Sequence, residues 1–132
     1  ISNTKLVGSR LTSNNVQDKT LSLGEKSSAI IKNLEINNSE IGLAVKDASE
    51  ALIDNAIFYN TKLPIVVFVK KKEYGAASLI AKNLNLKNSK DLFLVDNKSN
   101  LIINDKKFES NLTGSEIESQ LYGNAFGKAT VR

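Results

Sequence analysis

Ala29-Ile30-Ile31-Lys32-Asn33-Leu34-Glu35-Ile36-Asn37-Asn38-Ser39 (AIIKNLEINNS) returns twenty-two residues later as Ala51 to Thr61 (ALIDNAIFYNT), and again as Leu79 to Ser89 (LIAKNLNLKNS). A weaker copy runs from Leu101 to Asn111, and an earlier, degenerate one begins at Leu6 and reaches Asn14-Asn15. A fixed period can determine a fold when no single segment does. Each full copy is followed by a second apolar stretch: Ile41 to Val45, Leu63 to Val69 and Leu92 to Val95, with Leu21-Ser22-Leu23 in that role in the first copy. The unit reads as a short strand, Asn, a second short strand, an Asn-Ser-like turn, a third strand and a polar turn. One such unit cannot bury its own apolar side chains, whereas stacked copies bury them along a continuous core. With strands about 4.8 Å apart, roughly five coils make a stack about 24 Å tall.

The turn residues fit that picture. Asn tolerates the left-handed backbone that a sharp corner requires, and its amide both donates and accepts. Asn38, Asn60 and Asn88 form one column, and Asn33, Asn55 and Asn83 form another that Asp105 continues. Both columns are expected to act as structural ladders. A leucine-rich repeat also satisfies the spacing of Ile31, Leu34, Ile36 and Ile41, but its second half should be helical or loosely coiled. Here that half reads Ile65-Val66-Val67-Phe68-Val69 and Leu92-Phe93-Leu94-Val95, which are strand compositions. The expectation is an all-β, right-handed parallel β-helix over residues 1–111, with a C-terminal capping segment over residues 112–132.

Composition narrows the chemistry. The 132 residues fit one domain, and 41% apolar with 24% charged content is ordinary for a folded globular chain. Ile1 is not an initiating residue, so the chain reads as a fragment or processed product. The longest apolar run, Pro64 to Val69, is far short of the roughly 20 residues of a membrane-spanning helix, so no transmembrane segment is expected. Without cysteine or histidine, a thiolate nucleophile, a Ser-His-Asp triad and a histidine-based zinc site are excluded. The net charge of +4 rests on lysine, since Arg10 and Arg132 are the only arginines. That favours diffuse attraction to polyanions over bidentate readout, and no basic run is interleaved with aromatics as specific nucleic-acid binding would require.

The copies resemble the right-handed parallel β-helix repeats of the pectin-lyase-like superfamily, in which strand, Asn-containing turn and Gly-apolar strand recur in this order. The resemblance covers about Leu6 to Asn111. It implies a scaffold that serves many activities, and no position matches a pectate-lyase catalytic motif. Asp18-Lys19 leading to Ser22-Leu23-Gly24-Glu25-Lys26-Ser27, Gly42 to Ser49, and Phe68 to Gly75 also resemble β-helix segments of bacterial surface proteins that carry CotH-like or lamin-tail-like domains. That narrower resemblance implies an extracellular or cell-surface module of a larger bacterial protein.

Glu40 to Ser49 (EIGLAVKDAS) is then the third strand of a coil, and Lys46-Asp47 is where the chain turns out of the stack. Glu25-Lys26, Lys70 to Glu73 and Asp96-Asn97-Lys98 follow the same strand, so stacking gathers them on one edge. Two readings of that edge stand side by side: an alternating salt-bridge ladder over solvated turns, or a site for an anionic glycan or a metal. The spacing from Asn55 to Asn83 exceeds the period by six residues, and the excess lies around Lys70-Lys71-Lys72-Glu73-Tyr74-Gly75. Insertions on a solenoid usually decorate a binding face, so Lys46, Asp47, Lys70, Lys71, Lys72, Glu73 and Tyr74 are the candidate binding residues. Tyr74 is read either as an exposed contact or as a lid folded back over the strand.

A lyase on this scaffold needs a base and a cation, commonly Lys or Arg with calcium held by carboxylates. Lys46, Asp47, Lys70, Lys71 and Glu73 supply the residue types. No motif calls for a cofactor or metal, so calcium enters only with that reading, and the expectation is a non-catalytic binding or structural module that presents its charged edge to an anionic glycan or a protein partner, with part of a polysaccharide lyase or hydrolase as the alternative. At the C-terminus Ser115-Glu116-Ile117-Glu118 fits a capping box that starts a short helix through Leu121-Tyr122 to Gly123, covering the last coil; an irregular loop would serve the same end. No cap precedes the first coil, so its partner is expected to be an upstream domain or a second copy of the chain.

Overall fold

In the computed structural model of the chain, residues 1–14 and 19–122 are described. The sequence readings that fall on Asn15, Asp18 and residues 123–132 lie outside them. The first coil holds β1 (Lys5–Gly8), β2 (Leu11–Asn14) and β3 (Lys19–Leu23). The second holds β4 (Ser28–Asn37) and β5 (Ile41–Lys46), and the third holds β6 (Glu50–Tyr59) and β7 (Leu63–Phe68). The fourth returns to three strands, β8 (Ser78–Ala81), β9 (Leu84–Lys87) and β10 (Phe93–Val95). β11 (Asn100–Ile103), β12 (Lys106–Phe108) and α1 (Gly114–Leu121) complete the chain. Successive coils pair in parallel, so the three strands of each unit form two sheets: a larger one, β1-β4-β6-β8-β11-β12 with β2 and β9 alongside, and a smaller one, β10-β7-β5-β3.

Side-chain parity explains why two short strands fuse in the middle coils. Ala29 and Ile31 point into the core, as do Leu34 and Ile36, but between them Lys32 and Asn33 both face solvent. Strand period is two, so a pair of outward residues shifts the phase by one and bends the strand without ending it. β6 repeats the device at Asp54-Asn55, and the register skips Lys32 and Asp54 while pairing Asn33 with Asn55. In the fourth coil Asn83 adopts a left-handed backbone (φ 53°), and the strand breaks there into β8 and β9.

Like stacks on like inside. Ala29, Ala51, Leu79 and Leu101 form one register column, and Ile31, Ile53, Ala81 and Ile103 form its neighbour. Where the fourth coil puts Leu for Ala in the first column it puts Ala for Ile in the second. Total volume is thereby held roughly constant, which cores tolerate well. β5 and β7 are buried on both faces and accordingly read as unbroken apolar runs. Their inward Leu43, Val45, Ile65 and Val67 join the central core, while Ala44, Val66 and Phe68 meet Ile117 and Leu121 of α1. Gly42 is required here, since a Cβ would lie 2.6 Å from both the Phe58 ring and the Pro64 carbonyl. Pro64, which has no N–H to give, sits where the β5/β7 register skips a pair.

The corner between the sheets turns on Asn38, Asn60 and Asn88, all left-handed with φ of 56°, 51° and 50°. Asn60 Nδ2 donates to Asn38 Oδ1, and Asn88 Nδ2 donates to Asn60 Oδ1, forming an amide ladder up the stack. A second ladder, not read from the sequence, consists of serines: Thr4 N, Ser27 N and Ala77 N donate to the Oγ atoms of Ser27, Ser49 and Ser99, one coil further on.

Both features expected near the C-terminus differ in form. The copy that begins at Leu101 does not complete a coil: Asn104 and Asp105 both take positive φ (50° and 66°), and the chain turns back into antiparallel β12. Two such residues make the two-residue hairpin turn whose twist matches that of its strands. Four coils are therefore complete among the described residues, and β12 covers the free edge of β11, the first strand of the unfinished fifth. Phe108 of β12 meets Phe93 edge to face, 5.5 Å between centroids, and packs against the core end. Asn104, not Asp105, continues the asparagine column, its Oδ1 accepting from Asn83 N at 2.7 Å. The helix starts two residues before the expected box, through Thr113 and Glu116, which cap one another reciprocally at 3.1 Å. It lies against the outer face of the smaller sheet rather than over the last coil. Gly114 makes that possible, because a Cβ there would fall 2.1 Å from the Val69 carbonyl oxygen.

Candidate functional site

Stacking brings the four polar turns after β3, β5, β7 and β10 to one edge. The first two turns, Glu25-Lys26 and Asp47-Ala48, are consecutive left-handed residues (φ 55°, 64° and 51°, 62°). They lock onto the turn above through Lys26 N to Asp47 O and Ala48 N to Gly75 O, each 2.9 Å. A tight turn leaves backbone N–H groups without strand partners, and buried donors need acceptors.

The aspartates supply them. Asp47 is 1% exposed, and its Oδ1 accepts from Lys70 N at 2.7 Å and Lys71 N at 2.8 Å. Asp96 is 2% exposed, its Oδ2 accepting from Val69 N at 2.9 Å and its Oδ1 from Ser99 N at 2.9 Å. Neither carboxylate is presented at the surface.

The inserted segment lies back along the edge toward the first coil. Lys71 Nζ reaches Glu25 Oε1 at 3.2 Å, Tyr74 OH donates to Glu25 Oε2 at 3.4 Å, and Ser2 Oγ donates to Glu25 Oε1 at 2.8 Å. The hydrogen bond from Ser2, followed by that from Lys71 and its charge, holds the Glu25 carboxyl below the usual range. Glu25 in turn raises Lys71, chiefly through their hydrogen bond. Tyr74 is raised mainly by desolvation, with the Glu25 charge second.

The remaining candidates scatter. Lys70 Nζ donates to Tyr122 OH at 3.3 Å and sits 4.7 Å from the centre of that ring, which ties the segment to the end of α1. Lys46 is half-buried at the end of β5, and Lys72 and Glu73 are exposed. Among the described residues, no group of three or more His, Cys, Asp or Glu side chains is placed to hold a metal ion.

Between the inserted segment, the Asp96–Lys98 turn and the start of α1 opens a cleft of about 560 Å³. Lys70, Lys72 and Lys98 line it, while the Asp96 carboxylate on its wall is spent on backbone donors. The turn carboxylates of Asp47 and Asp96 are thus drawn inward while Lys70, Lys72 and Lys98 line the opening, and Glu25 and Glu73 remain at the surface of the same edge. Lys98 belongs to that set and was not among the candidates, although its turn was. A second concavity of about 240 Å³ runs along the outer face of the larger sheet at the strand bend, where Asn33, Asn55 and Asn83 line it with Arg10, Glu35 and Ile57. These asparagines were read only as structural.

The family model described as "Right handed beta helix region" matches residues 2–128. No curated protein and no solved structure matches the chain. The parallel register of stacked coils agrees with that description, and the chain belongs to the right-handed β-helix family.

Proposed function

We propose that the chain is a non-catalytic β-helical binding module of a secreted or cell-surface bacterial protein, and that it holds an anionic polysaccharide in the cleft beside the inserted segment. The observation that carries this reading is the sorting of charge at that edge. Asp47 and Asp96 spend their carboxylates on backbone amides, and Lys70, Lys72 and Lys98 are left around one opening. Lysine ammoniums are compact, well-hydrated charges, so they suit a polymer of repeated carboxylates and give binding that weakens with salt. The lyase reading asks for a lysine driven below its ordinary pKa. Lys71, which Glu25 raises, moves in the opposite direction.

The test is retention on polygalacturonate and on a neutral polysaccharide at low and high salt, with newly formed unsaturated ends measured alongside. Salt-sensitive retention on the acidic polymer alone, lost in Lys72→Ala/Lys98→Ala, is the expected result. Absence of retention at low salt overturns the binding proposal, and formation of unsaturated ends overturns the non-catalytic one. Lys70→Ala is a poorer probe because it also removes the contact with Tyr122.

A further inference from the structure

We propose that the outer face of the larger sheet is an interface between two copies of this chain, packed stripe against stripe about a two-fold axis parallel to the strands. The surface is distinct from the cationic cleft and from the open edge of the first coil, and it stands independently of the polysaccharide reading.

The face is built from register columns. Val7 pairs with Ile30, Ile30 with Leu52, Leu52 with Ile80 and Ile80 with Ile102, so five aliphatic side chains point outward one above another. At the strand spacing of about 4.8 Å the stripe is about 19 Å long. Val7, Ile30 and Leu52 are 65%, 49% and 48% exposed. Strand propensity favours branched aliphatics at any outward position. Both neighbouring columns are nevertheless polar, with Ser28, Glu50 and Ser78 on one side and Lys32, Asp54 and Lys82 on the other. Confinement of the apolar residues to one column is what a contact surface needs and what propensity alone does not produce. On the smaller sheet, the outward Ala44, Val66 and Phe68 lie under α1. No described residue covers Val7, Ile30 and Leu52 in that way.

The flanking charges name the occupant. Lys32, Asp54 and Lys82 follow one another up the stack as plus, minus, plus, and among the described residues neither Lys32 nor Asp54 makes an ion pair. Let a second copy be turned over about an axis that runs between the levels of β4 and β6. Ile30 then faces that copy's Leu52, and Val7 faces its Ile80. Lys32 and Asp54 face its Asp54 and Lys32, while on the other flank Glu50 meets Ser28 and Lys5 meets Ser78. Each ion pair is thus made twice, as the two-fold symmetry of a self-complementary interface demands.

Other placements lose this match. An axis at the level of β6 sets Asp54 against Asp54 and Glu50 against Glu50, and an axis along the stack sets Glu50 against Asp54; like charges so opposed are costly. An axis one coil further on pairs Asp54 with Lys82 but puts Lys107, which shares the face of Ile102, over Val7. An anionic lipid surface fits less well, because Glu50 and Asp54 flank the middle of the stripe. A strip about five residues wide covers roughly 300 Å² per copy, under half of what each partner buries in a standard stable pair. The dimer is therefore weak and depends on concentration.

The test is sedimentation velocity from micromolar to millimolar chain, with the concentration dependence of the ¹⁵N-labelled chain's amide signals measured alongside. A reversible monomer–dimer equilibrium is expected, with shifts at Val7, Ile30, Leu52 and Ile80. Leu52→Lys, at an outward position, should raise the dissociation constant about tenfold or more with an unchanged melting temperature. Asp54→Lys and Lys32→Asp should each suppress the dimer alone, whereas an equimolar mixture of the two should form a heterodimer. The double variant Lys32→Asp/Asp54→Lys should recover the homodimer. A chain that stays monomeric at millimolar concentration would overturn the proposal, as would a dimer whose shifts map to the free edges of β1, β2 and β3. Dimerisation unaffected by Leu52→Lys, or charge-reversed variants that fail to recover one another, would overturn it as well.

Discussion

The charged edge and the asparagine bend are both concave, both lined by polar residues and both repeated from coil to coil, yet they spend those residues differently. At the edge the chain reverses through left-handed turns that strip backbone N–H groups of their strand partners. Asp47 and Asp96 are drawn inward to satisfy them. At the bend the strands continue, the parallel ladder accounts for most of the backbone, and each asparagine needs only one of its two amide ends to fasten a coil. Which polar side chains remain available for a ligand is set by how many backbone groups the local turn has orphaned.

That difference is open to direct challenge by substitution. Asp47→Ala leaves two part-buried amides without their acceptor and should cost about 3 kcal/mol in equilibrium denaturation, with Lys70 to Gly75 losing protection from amide exchange. At the corner, Asn60→Ala removes both ladder bonds and forces alanine into a left-handed backbone, for about 2 kcal/mol, and Asn60→Gly should recover the backbone share. At the bend, Asn55→Ala gives up one side-chain hydrogen bond and should cost about 1 kcal/mol. An Asp47→Ala cost no greater than that of Asn55→Ala would break the comparison.

The repeat was legible because core positions recur at a fixed interval and only stacked strands exploit that. Even the bend was written in the sequence, as the polar doublets Lys32-Asn33 and Asp54-Asn55 inside otherwise alternating runs. The serine ladder follows the asparagine period at Ser27, Ser49 and Ser99, with Ala77 in the fourth coil, and was overlooked, because serine is common in exposed turns whereas Ser27 and Ser49 are buried. The edge was legible in location but not in orientation. Asp47 bonds to backbone amides twenty-three and twenty-four residues away, and the identities of Lys70 and Lys71 do not encode that contact.

The helix start offered two overlapping frames, Thr113 to Glu116 and Ser115 to Glu118, each with the hydroxyl-to-glutamate spacing of a capping box. Propensity argues against a helix that begins on Gly114. The close approach of Val69 decides for it, and that is a tertiary fact. The fifth copy failed for a comparable reason: Asn104-Asp105 can serve as a coil corner or as a hairpin turn, and the pairing of Ile103 with Lys106 selects the hairpin.

The smallest expected effect lies where the edge meets solvent, in the contact between Glu25 and the inserted segment. Glu25 titrates below its ordinary value of 4.5 in the folded chain because Ser2 and Lys71 favour its ionised form. A carboxyl depressed on folding contributes its stabilisation above the unfolded pKa and loses it as pH falls through the folded one. Acidification through that range should therefore loosen the segment: amide exchange from Lys71 to Gly75 should rise, while Asn60, whose ladder bonds are to the Asn38 and Asn88 amides, should not respond. Lys71→Ala should move the Glu25 midpoint, followed through its side-chain carboxyl carbon, back toward 4.5. The ion pair is solvated, so salt should have the same effect as the substitution, to a lesser degree. If the midpoint stays depressed in Lys71→Ala, the Ser2 and Tyr74 hydroxyls sustain it, and the Lys71 ammonium adds little to what holds the inserted segment at the edge.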